Sequence, residues 1–540
     1  MLMFRRNYAK RCNTSSKFKL LPEYKLKCGL EIHTQLKTEN KLFSLSTNSP
    51  FSDVDKPNYH TSFFDVSLPG TQPILNPEAI LFALRLSLAL QCKINMNSHF
   101  DRKHYFYGDQ PLGYQITQHY SPFSNTGKLR LFKDLDSIEE QTKDISVIQL
   151  QIEQDTGKSV YDSADSITKI DLNRSNVPLI EMVTGPDFTD LKQIRAFIKK
   201  YQNLVRHLRI STGDLETGAM RVDVNISIND YARVELKNLP NTSSIASAVK
   251  YEYSRQVNMI ENGEGDKLRN AETRGWTGSE TVKLRSKESI IDYRYMPDPE
   301  LPNIVLTSDV VDGVKDMLPV LPDDTCMSLM QEPYRLSLKD AKILTINSNS
   351  RDELYTHDEL RKYYLDTFEA YRSLCERHHQ EFLRKLPANW IIHELLGNLN
   401  KMEITLYEIC RSLSPEKFAE LLLLISNKTL SNASGKLLLA HVLNSFKENS
   451  FAAGKPLNFL ELIDEFELQA VADVESEGLE LICERILAEV NNDKMINDIK
   501  SGKKKNSIKF LVGQAMRISQ GRIEALEFET TFKKILKVSW

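Results

Sequence analysis

The 540-residue chain carries 70 Lys and Arg against 73 Asp and Glu, a formal net charge of -3, with 41% apolar and 26% charged residues. These are globular values, and they exclude bulk disorder, collagen-like repeats and fibrous coiled coil. At about 100–200 residues per domain, three or so domains are expected, each able to bury a core without staples. No apolar run reaches the ~18 residues that a membrane helix needs. Ala79–Leu90 is broken by Arg85, and Leu421–Ile425 is far too short.

The charge is unevenly spread. Residues 1–22 hold Arg5, Arg6, Lys10, Arg11, Lys17 and Lys19 and no acid, the first carboxylate being Glu23. Basic, hydroxyl-bearing, acid-free N-termini are the pattern of mitochondrial transit peptides, which points to the mitochondrial matrix. Set aside, this segment leaves the rest of the chain at -9. The cysteines (Cys12, Cys28, Cys92, Cys326, Cys375, Cys410, Cys483) are odd in number and widely separated, with no CxxC pair. That excludes a zinc ribbon and suits a reducing compartment.

Residues 24–303 read as mixed α and β. In residues 29–36, Leu30, Ile32 and Leu36 alternate with Glu31, His33 and Gln35, a strand with one apolar and one polar face. Asn76, Pro77 and Glu78 cap and open a helix over Ala79–Leu90. Ile148, Leu150 and Ile152 oppose Gln149, Gln151 and Glu153 in a second strand. Thr189 is the expected cap of a helix in which Leu191, Ile194, Ile198, Tyr201, Leu204, Val205 and Leu208 recur, stopping near Gly213. Met220–Ile228 alternates throughout, and Arg233, Glu235 and Lys237 share one face of the next stretch. These strands predict antiparallel pairing with one face on a core. After Pro302 the pattern turns helical, with a start at Ser414-Pro415-Glu416. A smaller helical unit over 465–540 contains the basic run Lys500, Lys503, Lys504 and Lys505.

The polar faces carry the chemistry. Glu31 and His33 project to one side of a strand, Glu153 ends another polar face, and Glu181 follows an apolar triplet. Three carboxylates and an imidazole suit a divalent cation; hard Mg²⁺ prefers oxygen, whereas a His ligand is commoner for Zn²⁺ or Mn²⁺. Each could equally be a solvated strand-face residue, and spacing alone does not bring them together. Phe100–Gln115 interleaves aromatics with Arg and Lys, which suits stacking on bases and contacts to phosphate, or else a loop over buried aromatics. Residues 292–299 have similar composition. Gly157-Lys158-Ser159 is a decoy: a phosphate-binding P-loop needs Gly where Ile152 stands. Nor is there a GxSxG elbow.

The segments GLEIHTQLKTENKLFS (29–44), LPGTQPILN (68–76), FDRKHYFYGDQPLGYQIT (100–117), IEQDTGKS (152–159), DLNRSNVPLIEMV (171–183), LETGAMRVDVNIS (215–227), VELKNLPN (234–241), DYRYMPDPELP (292–302) and KFLVGQAMRISQG (509–521) resemble, in order, the B subunits of tRNA-dependent amidotransferases. The resemblance covers nearly the whole chain from residue 24, and with the basic N-terminus it resembles the mitochondrial form. It implies an α+β fold: a cradle domain over 24–303 with antiparallel sheet and helices, a helical domain over 304–464 and a compact YqeY-like tail over 465–540. It implies ATP- and Mg²⁺-dependent phosphorylation of the glutamate side chain on Glu-tRNA(Gln), then displacement of phosphate by ammonia. The ammonia would come by a channel from a separate glutamine-hydrolysing amidase (the A component of the complex), and a small third component, C or the fungal F, would brace the assembly. The cation site would be Glu31, His33, Glu153 and Glu181. Lys103, Arg221, Asp223, Asn225, Glu235 and Lys237 would line the same cavity, Arg221 and Lys237 meeting phosphate charge and Asp223 orienting. Lys503, Lys504, Lys505, Gly513 and Gln514 would touch the tRNA body through its backbone. Two departures stand out: Leu112 replaces a Lys frequent in bacterial members, and Asn176 a usual Gly.

Two other classes compete. A non-catalytic tRNA-binding adaptor would have a degenerate cavity, which the retained Glu31, His33, Glu153 and Glu181 oppose. A stand-alone metal-dependent hydrolase of RNA or nucleotides would not need the tail.

Overall fold

The computed structural model describes residues 18–49, 56–162, 166–286, 293–346, 354–447, 457–469, 476–490, 493–500, 505–519, 523 and 525–538. Most of the basic N-terminal segment, with Cys12, lies outside the described residues, as do Lys503 and Lys504. The chain divides into two compact units, residues 1–322 and 323–540.

The first unit runs β1 (Leu26–Gln35), α1 (Pro77–Ala89), β2 (Lys93–Ile94), β3 (Asn97–Ser98), β4 (Asp101–His104), β5 (Tyr114–Thr117), β6 (Ser124–Phe132), α2 (Lys133–Asp136), β7 (Thr142–Gln154), β8 (Lys158–Asp162), β9 (Ile167–Asp171), β10 (Pro178–Thr184), α3 (Leu191–His207), β11 (Met220–Ile228), β12 (Val234–Lys237), α4 (Thr242–Glu261), β13 (Glu272–Trp276), β14 (Thr281–Ser286), β15 (Met296–Pro297), β16 (Ile304–Val305) and α5 (Ser308–Asp316). A nine-stranded sheet has the order β14-β13-β12-β11-β1-β10-β7-β6-β2. Its pairs are antiparallel except β12 with β13, which is parallel and so departs from the antiparallel expectation. A three-stranded sheet, β15-β4-β5, carries the aromatic segments.

Alternation decides which face each side chain meets. In β11, Met220, Val222, Val224, Ile226 and Ile228 are buried while the residues between them are half-exposed. Leu30 and Ile32 of β1 join them in one core with Phe82 and Leu86 of α1, Ile194 and Phe197 of α3, and Ile245 and Val249 of α4. Each such aliphatic, fully buried, stabilises the fold by roughly 1.5–3 kcal/mol. The opposite face is left for polar groups. Asn76 caps α1 as expected, its Oδ1 accepting from the Glu78 amide at 2.9 Å.

Two local expectations are corrected. Ile148 does not face the core with Leu150 and Ile152. It is the extra residue in the pairing of β7 with β10, where the register shifts between Val183 opposite Gln149 and Thr184 opposite Val147, and it is 50% exposed. This bulge resets the alternation along β7. The N-cap position of helix α3 is Asp190 rather than Thr189, and its side chain makes no capping bond; Gln193 Oε1 accepts from the Thr189 amide at 2.9 Å instead. The Gly157 turn leads into a strand, β8, and its amide donates to Asp109 O at 2.8 Å, so nothing there resembles a P-loop.

The second unit is helical. Its His357–Arg377 helix begins with a capping box between Thr356 and Glu359. The helix Pro415–Ser426 starts at the expected Ser414, whose hydroxyl accepts from the Lys417 amide. Further along, Cys483, Ile486, Leu511, Phe528 and Phe532 form a separate small core. No described helix is long and apolar enough to cross a membrane.

Candidate active site

Register brings together residues distant in sequence. β1 lies between β10 and β11, so His33 stands opposite Glu181 on one side and Arg221 on the other, and Glu31 stands opposite Asp223. β10 in turn places Glu181 opposite Gln151 of β7, and Leu179 opposite Glu153. Glu31, His33 and Glu181 each offer one ligand atom, and the three atoms lie within 4.8 Å of one another. Glu153 stands beside them, with its Oε1 3.4 Å from His33 Nε2. Its other oxygen accepts from the Thr117 hydroxyl at 3.2 Å, and Glu181 accepts from the Gln151 amide.

The electrostatics of this cluster favour a cation. Burial pushes the carboxyls of Glu31, Glu153 and Glu181 each up to about 7. Mutual repulsion adds to it: Glu181 and Asp223 raise Glu31, and Glu153 raises Glu181. Burial, followed by the charges of Arg221 and Lys237, lowers His33 to about 3. The imidazole is therefore neutral and keeps a lone pair for coordination. A divalent ion would relieve the carboxylate repulsion; the carboxylate oxygens suit Mg²⁺, and the imidazole suits Zn²⁺ or Mn²⁺.

Basic side chains flank the cluster, and two of them, Arg221 and Lys237, are held by acids. Arg221 Nη2 donates to Asp155 Oδ1 at 2.9 Å. Lys237 lies 2.5 Å from Asp223 Oδ2 and 3.1 Å from Glu235 Oε1. Burial alone would lower the Lys237 ammonium, but these two carboxylates outweigh it and hold it above the usual range. Glu235 is steadied by the Thr273 hydroxyl at 2.9 Å. Asn225 stands opposite both Gly29 and Glu235, and its buried Oδ1 has no hydrogen-bond partner among the described residues. Lys103 Nζ sits 4.9 Å from the centre of the Tyr293 ring, and its charge lowers Glu153 and Glu181. The Tyr295 ring stacks on His119 at 3.8 Å, and Tyr293 packs on Tyr105 and Tyr295. The two aromatic segments singled out in the sequence thus meet in one wall beside the carboxylates.

Sequence reasoning passed over several of these groups. Asp155, Gln151 and Thr117 bind site residues directly, and Gln35 binds Asp155. Their signal was available: Gln149, Gln151, Glu153 and Asp155 continue one period-two row past the end of β7. In the tail, the Lys505 backbone opens a short 3-10 turn, while Gly513 is exposed and Gln514 half-buried on the helix Ile508–Ile518.

A sheet whose polar face gathers carboxylates, a neutral histidine and clamped cations defines an enzyme domain built to manage concentrated negative charge. The family profile described as the GatB/GatE catalytic domain matches residues 26–312, and one described as a GatB domain matches residues 369–536. The chain belongs to the GatB family. The mitochondrial B subunit of glutamyl-tRNA(Gln) amidotransferase from Kluyveromyces lactis is 81% identical over 538 residues, spanning 100% of both chains. The protein of the same name from Zygosaccharomyces rouxii is 64% identical over 542 residues, also 100% of both. That of Saccharomyces cerevisiae strain YJM789 is 61% identical over 521 residues, 96% of both.

Proposed function

We propose that this chain is the B subunit of a mitochondrial Glu-tRNA(Gln) amidotransferase, a ligase that uses ATP to activate the glutamate side chain on mischarged tRNA for amidation. The observation that carries the reading is the convergence of Glu31, His33 and Glu181, flanked by Glu153, on the polar face of a GatB-family sheet. A carboxylate is a poor electrophile, and phosphorylation gives it a leaving group that ammonia can displace. Glu31, His33, Glu153 and Glu181 would hold Mg²⁺, which would supply positive charge against the transferred phosphoryl group. Arg221 and Lys237 face the same charge from the side, and Asp223 fixes Lys237. Lys103, Asn225 and Glu235 line the nucleotide and substrate space. Walls around the cavity keep water from the activated acyl group.

The domains follow the boundaries 24–303, 304–464 and 465–540, after a transit peptide over 1–22. Lys503, Lys504, Lys505, Gly513 and Gln514 of the tail bear on the tRNA backbone. The partners are an amidase that supplies ammonia and a small third component.

Reconstitution tests the reading. The chain with its amidase partner, Glu-tRNA(Gln), ATP and Mg²⁺ should form Gln-tRNA from either glutamine or free ammonia. Glu153→Ala should abolish product while leaving tRNA binding nearly intact. Product at the normal rate from that variant would overturn the cation assignment, and tRNA binding without ATP turnover would indicate an adaptor.

A further inference from the structure

We propose that Asp155 is a positioning residue that aims the Arg221 guanidinium at the transferred phosphoryl group; this rests on the phosphoryl-transfer reading above. Asp155 is the first residue after β7 and is 2% exposed, so it meets the cavity through Arg221 rather than directly. Its Oδ1 accepts from Arg221 Nη2 and from the Thr156 amide, each at 2.9 Å. Its Oδ2 accepts from Gln35 Nε2 at 2.9 Å, with Arg174 Nε at 3.8 Å. Both oxygens are thus fixed by donors from three different segments, and a carboxylate so held presents a rigid acceptor.

The backbone is clamped as well. The Asp155 amide donates to Val177 O at 2.9 Å, and the Asn176 amide donates to Asp155 O at 2.8 Å. Arg174 donates to the carbonyls of Thr156 and Gly157 at 2.9 and 2.7 Å. Asn176 then donates from Nδ2 to Asp65 Oδ1 at 3.0 Å, and Asp65 pairs with Lys41 at 3.2 Å, neither side chain exposed at all. A chain of fixed contacts therefore runs from a buried ion pair to Asp155. Arg221 is the opposite case: its side chain is 36% exposed. Among the described residues, Asp155 is its hydrogen-bond partner. An arginine has five N–H donors, so one bond to Asp155 leaves the others for a phosphate. A long side chain facing solvent would otherwise spread over many rotamers, and one fixed acceptor removes that freedom before the substrate arrives.

The test is a double-mutant cycle in the reconstituted complex: Asp155→Asn, Arg221→Ala and the pair together. Asp155→Asn should lower kcat for ATP-dependent Gln-tRNA formation by roughly 10–100-fold, the size of losing an outer supporting contact, with the KM for Glu-tRNA unchanged. With Ala at position 221 the same change should cost nothing further. Urea midpoints of the same four proteins read the pairing without activity, and they should be non-additive too. If Asp155→Asn does not assemble, Arg221→Lys serves instead, because it keeps the charge and loses the planar fork. A kcat as low as that of Arg221→Ala supports the proposal, and a near-normal one overturns it. Coupled midpoints with equal kcat losses in both backgrounds would leave a structural ion pair and overturn the proposal alone. A wild-type complex without ATP-dependent product overturns the phosphoryl-transfer reading itself.

Discussion

The two units bury different kinds of polar group. In the sheet unit Lys41, Asp65, Asp101, Glu153, Asp155, Glu235 and Glu252 are all buried. In the helical unit the buried polar groups among the described residues include no charged side chain; they are hydroxyls such as those of Thr325, Thr345, Thr367, Ser431, Ser434 and Tyr363. A hydroxyl can satisfy itself on a nearby carbonyl, as Thr345 does on Ala341 O at 2.8 Å, whereas the Thr367 hydroxyl is buried with no partner among the described residues. A charge costs several kcal/mol to desolvate, and a partner held in place must offset that cost. Helical packing has no need of such groups. Their concentration in the sheet unit marks where the chain accepts an unfavourable term in exchange for chemistry, or for rigidity around it.

The comparison breaks most sharply at Lys41 and Asp65. Asp65 accepts from Lys41, Ser44, Asn176 and the Ser62 amide, tying three loops together. Asp65→Ala strands a fully buried ammonium. It should destabilise the sheet unit by roughly 3–5 kcal/mol, the cost of breaking a buried pair from one side. Leu422→Ala in the helical unit, also fully buried, should cost about 2–5 kcal/mol by leaving a cavity. Urea denaturation compares them. The two should differ in activity: Asp65→Ala loosens the Asn176 turn and should lower kcat, whereas Leu422→Ala should leave kcat per folded complex unchanged. Equal effects on kcat would mean that the buried pair is no more than packing.

Protonation gives a gentler probe of the same contrast. Glu31, Glu153 and Glu181 are raised to about 7 from 4.5, so between those values the native state binds more protons than the unfolded one. Stability of the cation-free protein should therefore fall as pH rises through that window. His33, lowered to about 3 from 6.5, works the other way, since the unfolded state binds its proton first. Three carboxylates outweigh one imidazole, so the urea midpoint in a chelator should drop from pH 5 to pH 7.5. Mg²⁺ should restore it more at pH 7.5 than at pH 5, because the ligands must first lose their protons. A midpoint that rises over this range without cation would show that burial and mutual repulsion do not raise these three carboxyls.

How much of this was legible depends on how local the signal is. β11 reads directly, because Met220 to Ile228 alternates without interruption. Glu31 and His33 share a face by the same arithmetic. β10 does not announce itself: Pro178, Leu179 and Ile180 are all buried, so no alternation precedes Glu181. Nor could any sequence period place β10 beside β1, since eight strands and two helices separate them along the chain. The convergence of Glu181 with Glu31 and His33 is therefore a product of register, and only the family resemblance implied it beforehand. The bulge at Ile148 escaped for a related reason, because its apolar side chain fits the expected pattern while the pairing with β10 skips it.

Asn176 gives the smallest and most discriminating effect. The resemblance marks it as a departure from Gly, and the structure shows why glycine suits the position: its φ is +66°, in the left-handed region that Asn tolerates better than most residues. Asn adds a bond that Gly lacks, from Nδ2 to the buried Asp65, while its own Oδ1 is buried without a partner among the described residues. A bond to a charged group contributes about 1.5–3 kcal/mol, against which stand an orphaned acceptor of ~1–3 kcal/mol and a left-handed backbone of about 1–2 kcal/mol. Asn176→Gly removes all three together and should change stability by no more than ~1 kcal/mol. Asn176→Ala loses the bond and the orphaned acceptor together but keeps the left-handed backbone, so it should be less stable than the glycine variant by about 1–2 kcal/mol. Urea midpoints give the order. An alanine variant as stable as the glycine one would show that the left-handed backbone exerts no strain on this turn.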